Sequence, residues 1–243
     1  MDLSEVLHHA VQTAHDGKAW RNIYTCDPTQ DLYDDLVGPS SAGAIQALVE
    51  ASRPAPQRRA RSGLDRPFVY VPDEVPFTTS WPDPPWRPGR WGDGADYGVW
   101  YGALSEKTSL REVHYHLEKE ARRLFSLHPQ TQQIARHRAV YLAHISASNL
   151  CDLRPCYASF ASILGSDDYA HCNELGRQLW AARRQGLLSL SVRDANGVNL
   201  SLFDRGALVE DKRMRAVRFC FSRDGACQIT HREDITSAIL GAT

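Results

Sequence analysis

Between Val99 and Leu124 the hydrophobic pattern changes period once, and that change sets a strand followed by a helix at the centre of the chain. Upstream lies a loop rich in Gly and Asp, Arg90-Trp91-Gly92-Asp93-Gly94-Ala95-Asp96, whose composition interrupts regular structure. Val99-Trp100-Tyr101 is bulky and β-prone, so it predicts a short buried strand. From Leu110 onward Leu110, Val113, Leu117 and Leu124 recur at helical spacing and form one apolar stripe. At about 100° per residue, Thr108, Glu112 and His116 fall opposite that stripe. A helix that packs Leu110 and Val113 inward therefore presents Glu112 and His116 together on another face, one turn apart. Ser109-Leu110-Arg111-Glu112 also matches a capping box, which would make Glu112 a structural cap.

The flanking chain reads as irregular alternation. Leu3, Val6, Leu7, Ala10, Val11 and Ala14 follow a capping box at Asp2-Leu3-Ser4-Glu5 and predict an amphipathic helix over 3–15. A second helix is expected from Ser41 to Ser52, then an Arg-rich solvated linker from Arg53 to Arg66. Phe68 to Val71 is a strand candidate, and the Pro-rich stretch from Pro72 to Pro88 predicts a loop that leads to Arg90. Further on, Ala139 to Ser146 reads as a strand and Asn149 to Pro155 as a turn. A helix is expected to start at Ser166-Asp167-Asp168, to bury Tyr169, Cys172, Leu175 and Leu179, and to be capped by Gly186. Leu187 to Val192 and Val198 to Phe203 flank a hairpin signal at Asp194-Ala195-Asn196-Gly197. Ala216 to Phe221 and Gln228 to Thr230 flank another at Ser222-Arg223-Asp224-Gly225. Two hairpins and scattered helices give an α+β class.

Composition bounds the function. Hydrophobic residues make up 42% and charged residues 23%, as in an ordinary folded protein. A formal net charge of -1 offers no bulk attraction to nucleic acid or to an acidic membrane. No apolar run approaches the ~20 residues of a membrane span. The acidic start, Met1-Asp2-Leu3-Ser4-Glu5, lacks the features of a signal peptide, so a cytoplasmic protein is expected. Cysteines 26, 151, 156, 172, 220 and 227 form no Cys-x-x-Cys pair and read as reduced thiols. His114 and His116 point to different helix faces, so no metal site is expected. The dinucleotide fingerprint is missing, which disfavours a Rossmann oxidoreductase.

Two groups of residues carry a family resemblance. Gly89-Arg90-Trp91, Gly98-Val99-Trp100-Tyr101-Gly102-Ala103 and Thr108 to Glu112 resemble the first half of a RES domain, a family named for an Arg, a Glu and a Ser. Tyr169, Cys172, Leu175, Leu179, Gly186 to Asp194, Gly197-Val198-Asn199-Leu200 and Phe203 resemble its second half. The resemblance covers roughly residues 65 to 225. It implies an ADP-ribosyltransferase-like split β-sheet over residues 61–243, with flanking helices, behind an N-terminal helical extension over residues 1–60. It also implies cleavage of the bond between nicotinamide and ribose in NAD, with NAD as substrate and no metal. The implied setting is the toxin of a toxin–antitoxin pair, depleting NAD by hydrolysis or phosphorolysis and held inactive by an Xre-type helix-turn-helix antitoxin.

The resemblance carries residue roles onto Arg90, Tyr101, Glu112 and Ser191. A pyrophosphate suits a guanidinium fork, so Arg90 is assigned to pyrophosphate or ribose binding, with Arg87 a rival. A flat nicotinamide cation suits an aromatic face, here Tyr101. Glu112 is the carboxylate that stabilises an oxocarbenium-like ribose. Ser191 holds nicotinamide or ribose, with Ser189 a rival on the same strand face. Thr108 and His116 flank Glu112 by one turn on each side as second choices. Two departures from the family pattern stand at Ser189, where an aromatic is usual, and at Gly92, where a polar residue is usual. One alternative is a mono-ADP-ribosyltransferase acting on protein. Another is a catalytically silent nucleic-acid-binding or scaffold module, supported only by the basic linker.

Overall fold

The structure, a computed structural model, describes residues 3–24, 82, 86, 88–165 and 167–232. The helix expected from Ser41 to Ser52, the Arg-rich linker and the strand at Phe68 to Val71 lie outside the described residues. The elements in chain order are α1 (Leu3–His9), β1 (Val11–Tyr24), β2 (Trp100–Ala103), α2 (Glu106–Leu127) and β3 (Gln133–Asp152). They continue with α3 (Tyr157–Leu164), α4 (Ala170–Ala181), β4 (Gly186–Leu190), β5 (Val198–Leu202), β6 (Leu208–Ser222) and β7 (Cys227–Arg232). Among the described residues seven strands make one mixed sheet in the order β1-β2-β5-β4-β3-β6-β7. The class is α+β, as the two hairpins require. No helix among the described residues is long and apolar enough to cross a membrane.

A further pairing of β1 with β3 bends the sheet into a ring, β1-β2-β5-β4-β3. The β1–β2 seam is a single pair, Trp20↔Ala103, whereas β1 and β3 run antiparallel from Val11↔Asp152 to Tyr24↔Arg138. β3 pairs parallel with β4 and antiparallel with β6, and β6 continues into the β7 hairpin. One core fills the ring. Small residues of β1 and β3, Ala19, Ala143 and Ala147, oppose large ones of β2, β4 and β5, Trp100, Leu188, Leu200 and Leu202. This alternation of small and large side chains is how a narrow barrel interior is filled. A second core packs α3 and α4, through Phe160, Leu164, Cys172 and Leu175, on the outer face of β4 at Leu187. A third packs Leu117, Ala121 and Phe125 of α2 on Val140, Val217 and Phe219 of β3 and β6.

Several elements differ from the sequence expectation. The helix expected over 3–15 ends at His9, and Val11–Tyr24 is a strand that belongs to the ring. Half-buried positions alternate there at Thr13, His15 and Gly17, with exposed Gln12, Ala14, Asp16 and Lys18 between. Both faces are polar or small, so hydrophobicity hid the period of two, and pairing with β3 decided the conformation. β3 extends through residues 149–152, where a turn was expected, because those residues pair with β1 and β4. α4 begins at Ala170, and its C-cap is Ala182, followed by Arg183 at φ 57°. Gly186, expected as the cap, instead opens β4, where a Cβ would stand 2.2 Å from the Ser201 carbonyl oxygen. The strand approach itself demands glycine at that position.

Candidate active site

The strands β4 and β5 alternate apolar and polar residues although both of their faces are covered. Leu188, Leu200 and Leu202 enter the ring core, and Ser189, Asn199 and Ser201 face the other way. All three polar residues are buried, as is Ser191 just past the end of β4. Register places Ser189 opposite Asn199, and Tyr101 of β2 opposite Ser201, so these side chains share one polar floor. Buried polar groups need partners. Helix α2 supplies one by laying Glu112 on the floor with 8% exposure.

Glu112 is held at one oxygen. The Ser191 hydroxyl donates to Glu112 Oε1 at 2.6 Å, and Asn199 Nδ2 donates to the same atom at 2.7 Å. Among the described residues no hydrogen bond reaches Oε2, and that oxygen is not sealed from solvent. The Ser191 hydroxyl is itself saturated. Its lone pairs accept from the backbone N–H of Arg193 at 3.1 Å and of Asp194 at 3.0 Å, and its proton goes to Glu112. Ser189 takes no part in this clamp; it bonds with the Tyr157 hydroxyl, which also donates to the Leu190 carbonyl at 3.1 Å.

The helix is locked to the hairpin that carries Ser191. Ser105 is the N-cap of α2, accepting from the Thr108 backbone N–H at 3.1 Å. The capping box expected at Ser109 to Glu112 therefore does not form, and Glu112 sits in the second turn. Thr108 donates its hydroxyl to Asp194 at 2.8 Å, and Arg111 donates to the other Asp194 oxygen at 2.6 Å. These contacts hold the Asp194 carboxyl below its ordinary pKa, with the Thr108 hydroxyl the largest cause and the Arg111 and Lys107 charges adding to it. Gly197 in the same turn leaves room for Thr108, since a Cβ there would lie 2.7 Å from Thr108 Cγ2. Thr108 is thereby a tie between helix and hairpin. Ser109, on the next position, accepts from Asn22 of β1 at 2.5 Å.

Cationic and aromatic groups surround the carboxylate. Arg90 donates to the Leu164 carbonyl at 2.8 Å and lies 4.7 Å over the Tyr169 ring. Burial works to lower the Arg90 pKa, but Tyr169, Cys172, Tyr101 and Tyr157 around it raise it, so it is a fixed cation. Tyr101 is pushed well above its usual pKa, first by burial and next by Glu112, with Arg90 opposing. Burial likewise pushes Tyr157 up to about 12. Both phenols are neutral donors at neutral pH. His116 is exposed, yet the protein around it lowers its pKa, with Glu112 opposing. At the outer margin Arg193 stacks over Tyr115 at 3.4 Å and pairs with Asp167, which also accepts from the Tyr115 hydroxyl at 2.9 Å.

Of the residues singled out from sequence, Glu112 and Ser191 touch, Tyr101 and His116 lie within electrostatic reach of Glu112, and Arg90 lies within reach of Tyr101 and His116. Thr108 reaches the site only through Asp194, and Arg87 lies outside the described residues. Asn199, Tyr157 and Tyr169 went unassigned. The signal for Asn199 was the alternation Leu-Ser-Leu-Ser over residues 188–191, at and just past the end of β4, against Asn-Leu-Ser-Leu in β5. Polar residues at every second position of two doubly covered strands mark a buried polar face.

The chain belongs to the RES domain family, whose model matches residues 58–222, more than half of the chain and all of the site just described. No curated protein matches the sequence. Among solved structures the chain is similar to one in the crystal structure of the M. tuberculosis MbcT–MbcA toxin–antitoxin complex. The two share 15% sequence identity at a TM-score of 0.43, with 87% of this chain and 91% of that chain covered.

Proposed function

We propose that this RES domain protein breaks the nicotinamide–ribose bond of NAD and acts as the toxin of a toxin–antitoxin pair. The observation that carries the chemistry is the half-clamped Glu112. Its Oε1 is fixed by two donors and its Oε2 is open; the neutral phenols of Tyr101 and Tyr157 lie near the carboxylate, and the fixed cation Arg90 lies near those phenols. A carboxylate oriented in advance stabilises positive charge without reorganising as the reaction proceeds. In NAD that charge develops at ribose C1′. The C1′–N bond breaks, its electron pair leaves with nicotinamide, and nicotinamide departs neutral. Water or inorganic phosphate then attacks C1′ and gives up a proton. Arg90 suits the pyrophosphate and Tyr101 the nicotinamide ring. Because the Ser191 hydroxyl is fully engaged, its role is to orient Glu112. The mixed sheet, with its polar floor between strands and helices, is compatible with an ADP-ribosyltransferase-like architecture.

Membership of the RES family supports the biological setting: a cytoplasmic toxin whose expression arrests growth, restrained by an Xre-type antitoxin that blocks access to Arg90 and Tyr101. The test is to incubate purified protein with NAD and follow nicotinamide release with and without phosphate, and with labelled NAD plus lysate. Free ADP-ribose, a phosphorylated ADP-ribose or labelled protein identifies the acceptor. No nicotinamide release under any of these conditions overturns the reading.

A further inference from the structure

Two donors converge on Glu112 Oε1, and they come from different parts of the fold. Ser191 belongs to the hairpin turn, where its hydroxyl is also fixed by two backbone N–H groups. Asn199 comes from β5, directly opposite Ser189, and is 2% exposed. Its amide nitrogen donates to Glu112, but its side-chain oxygen is buried without a hydrogen-bond partner. A buried carboxamide satisfied at one end is a poor choice for stability alone. The neighbouring β5 residues Leu200 and Leu202 show that this strand packs well with aliphatic side chains on its ring face. What Asn199 supplies, and an aliphatic residue cannot, is the second N–H to Glu112.

One donor alone leaves a carboxylate free to rotate about its last bond and to exchange its two oxygens. Two donors from different directions, meeting on one oxygen, fix both the plane and the choice of oxygen. We infer that Asn199 is a positioning residue: with Ser191 it pins Oε1 of Glu112 so that Oε2 alone faces the substrate. The inference rests on the NAD-cleaving reading above and deepens it, since it names which carboxylate oxygen meets the developing charge on the ribose.

The test uses the full chain, single-turnover nicotinamide release and equilibrium NAD binding. Asn199→Ala is expected to slow release about 10²-fold, the scale of a small misplacement of a reacting group, while NAD affinity stays within about threefold. In a Glu112→Gln background the same change is expected to cost less than about twofold, because residues that act as a unit are not additive. Asn199→Asp keeps the shape and supplies the readout that a packing role would not move. Two carboxylates this close repel, which raises the upper apparent pKa of the pair, so the pair takes up a proton as pH falls and the aspartate can then donate it to Glu112 in place of the amide. The rate of Asn199→Asp relative to wild type is therefore expected to rise about tenfold from pH 8 to pH 5.5. Tyr101, Tyr157 and His116 lie near the same carboxylate, with Arg90 near all three, but these groups are common to both proteins and cancel in the ratio. Undiminished release by Asn199→Ala overturns the inference. So does a flat ratio for Asn199→Asp, or an equal loss with and without Glu112. These results require an active wild type; a wild type that releases no nicotinamide overturns the NAD reading first and this one with it.

Discussion

Replacing Ser191 by Ala separates two roles that the sequence left joined. If Ser191 holds nicotinamide or ribose, its loss weakens NAD binding and leaves the fold intact. The structure instead gives the hydroxyl three internal bonds: one to Glu112 and two from the backbone N–H groups of Arg193 and Asp194. A bond to a charged group is worth about 1.5–3 kcal/mol, and a buried N–H left without an acceptor costs about 1–3 kcal/mol. The Arg193 N–H is only part-buried, so water replaces some of that loss. The sum expected, counting the Glu112 bond and the buried Asp194 N–H, is about 2.5–6 kcal/mol. At roughly 2–4 °C per kcal/mol for a chain of this size, the melting temperature should fall by roughly 5–24 °C. Release of nicotinamide should slow because Glu112 loses half of its clamp, while NAD affinity of the folded fraction should hold within a few-fold. The assay is a thermal melt beside single-turnover release and NAD binding at a temperature where the variant is folded. An unchanged melting temperature together with a tenfold or greater loss of NAD affinity would refute the orienting role and restore Ser191 as a substrate ligand.

Two further predictions concern the tie between helix and hairpin. The Asp194 carboxyl has its pKa lowered on folding, so it stabilises the protein above the ordinary carboxylate value, and that contribution fades as pH falls through the lowered value. Wild type should therefore melt above Asp194→Asn at neutral pH, and the gap should close below about pH 4; a gap independent of pH would show that the charge does not matter. Gly197→Ala places a methyl 2.7 Å from Thr108 Cγ2, so stability should fall by about 1–3 kcal/mol, and Thr108→Ser, which removes that methyl, should restore part of it. No recovery in the double variant would place the strain elsewhere.

What the sequence made legible follows from which signals survive tertiary packing. The stripe of α4 was readable because Cys172, Leu175 and Leu179 all face one core. Both hairpins were readable because turn chemistry is local: Asn196 takes φ 66° and Gly225 φ 94°. Strand β1 was not readable, since its inward positions Thr13, His15 and Gly17 carry no hydrophobic signature. The central helix was half readable. Its apolar stripe implied that Glu112 lay on an open face, but α2 is covered on two sides. Leu117, Ala121 and Phe125 meet one core, while Thr108, Ser109 and Glu112 meet the polar floor and β1. Leu110 and Val113 are only partly buried. Convergence of Glu112 with Ser191 came from the family resemblance. Asn199 needed the register of β4 against β5, which no single segment contains.

Glu112→Gln tests the central claim most directly. Ser105 already caps α2, so the substitution removes no helix cap. The glutamine oxygen can take the place of Oε1 and accept from Ser191 and Asn199, and the amide nitrogen then replaces the open oxygen. Shape and clamp survive, and only the negative charge is lost. The measurement is single-turnover nicotinamide release from NAD, with NAD binding and a thermal melt on the same samples. The expected result is a folded protein that binds NAD nearly as well as wild type and releases nicotinamide about 10²–10³ times more slowly. Release at the wild-type rate would contradict the account, because the carboxylate at the centre of the site would then have no part in the chemistry.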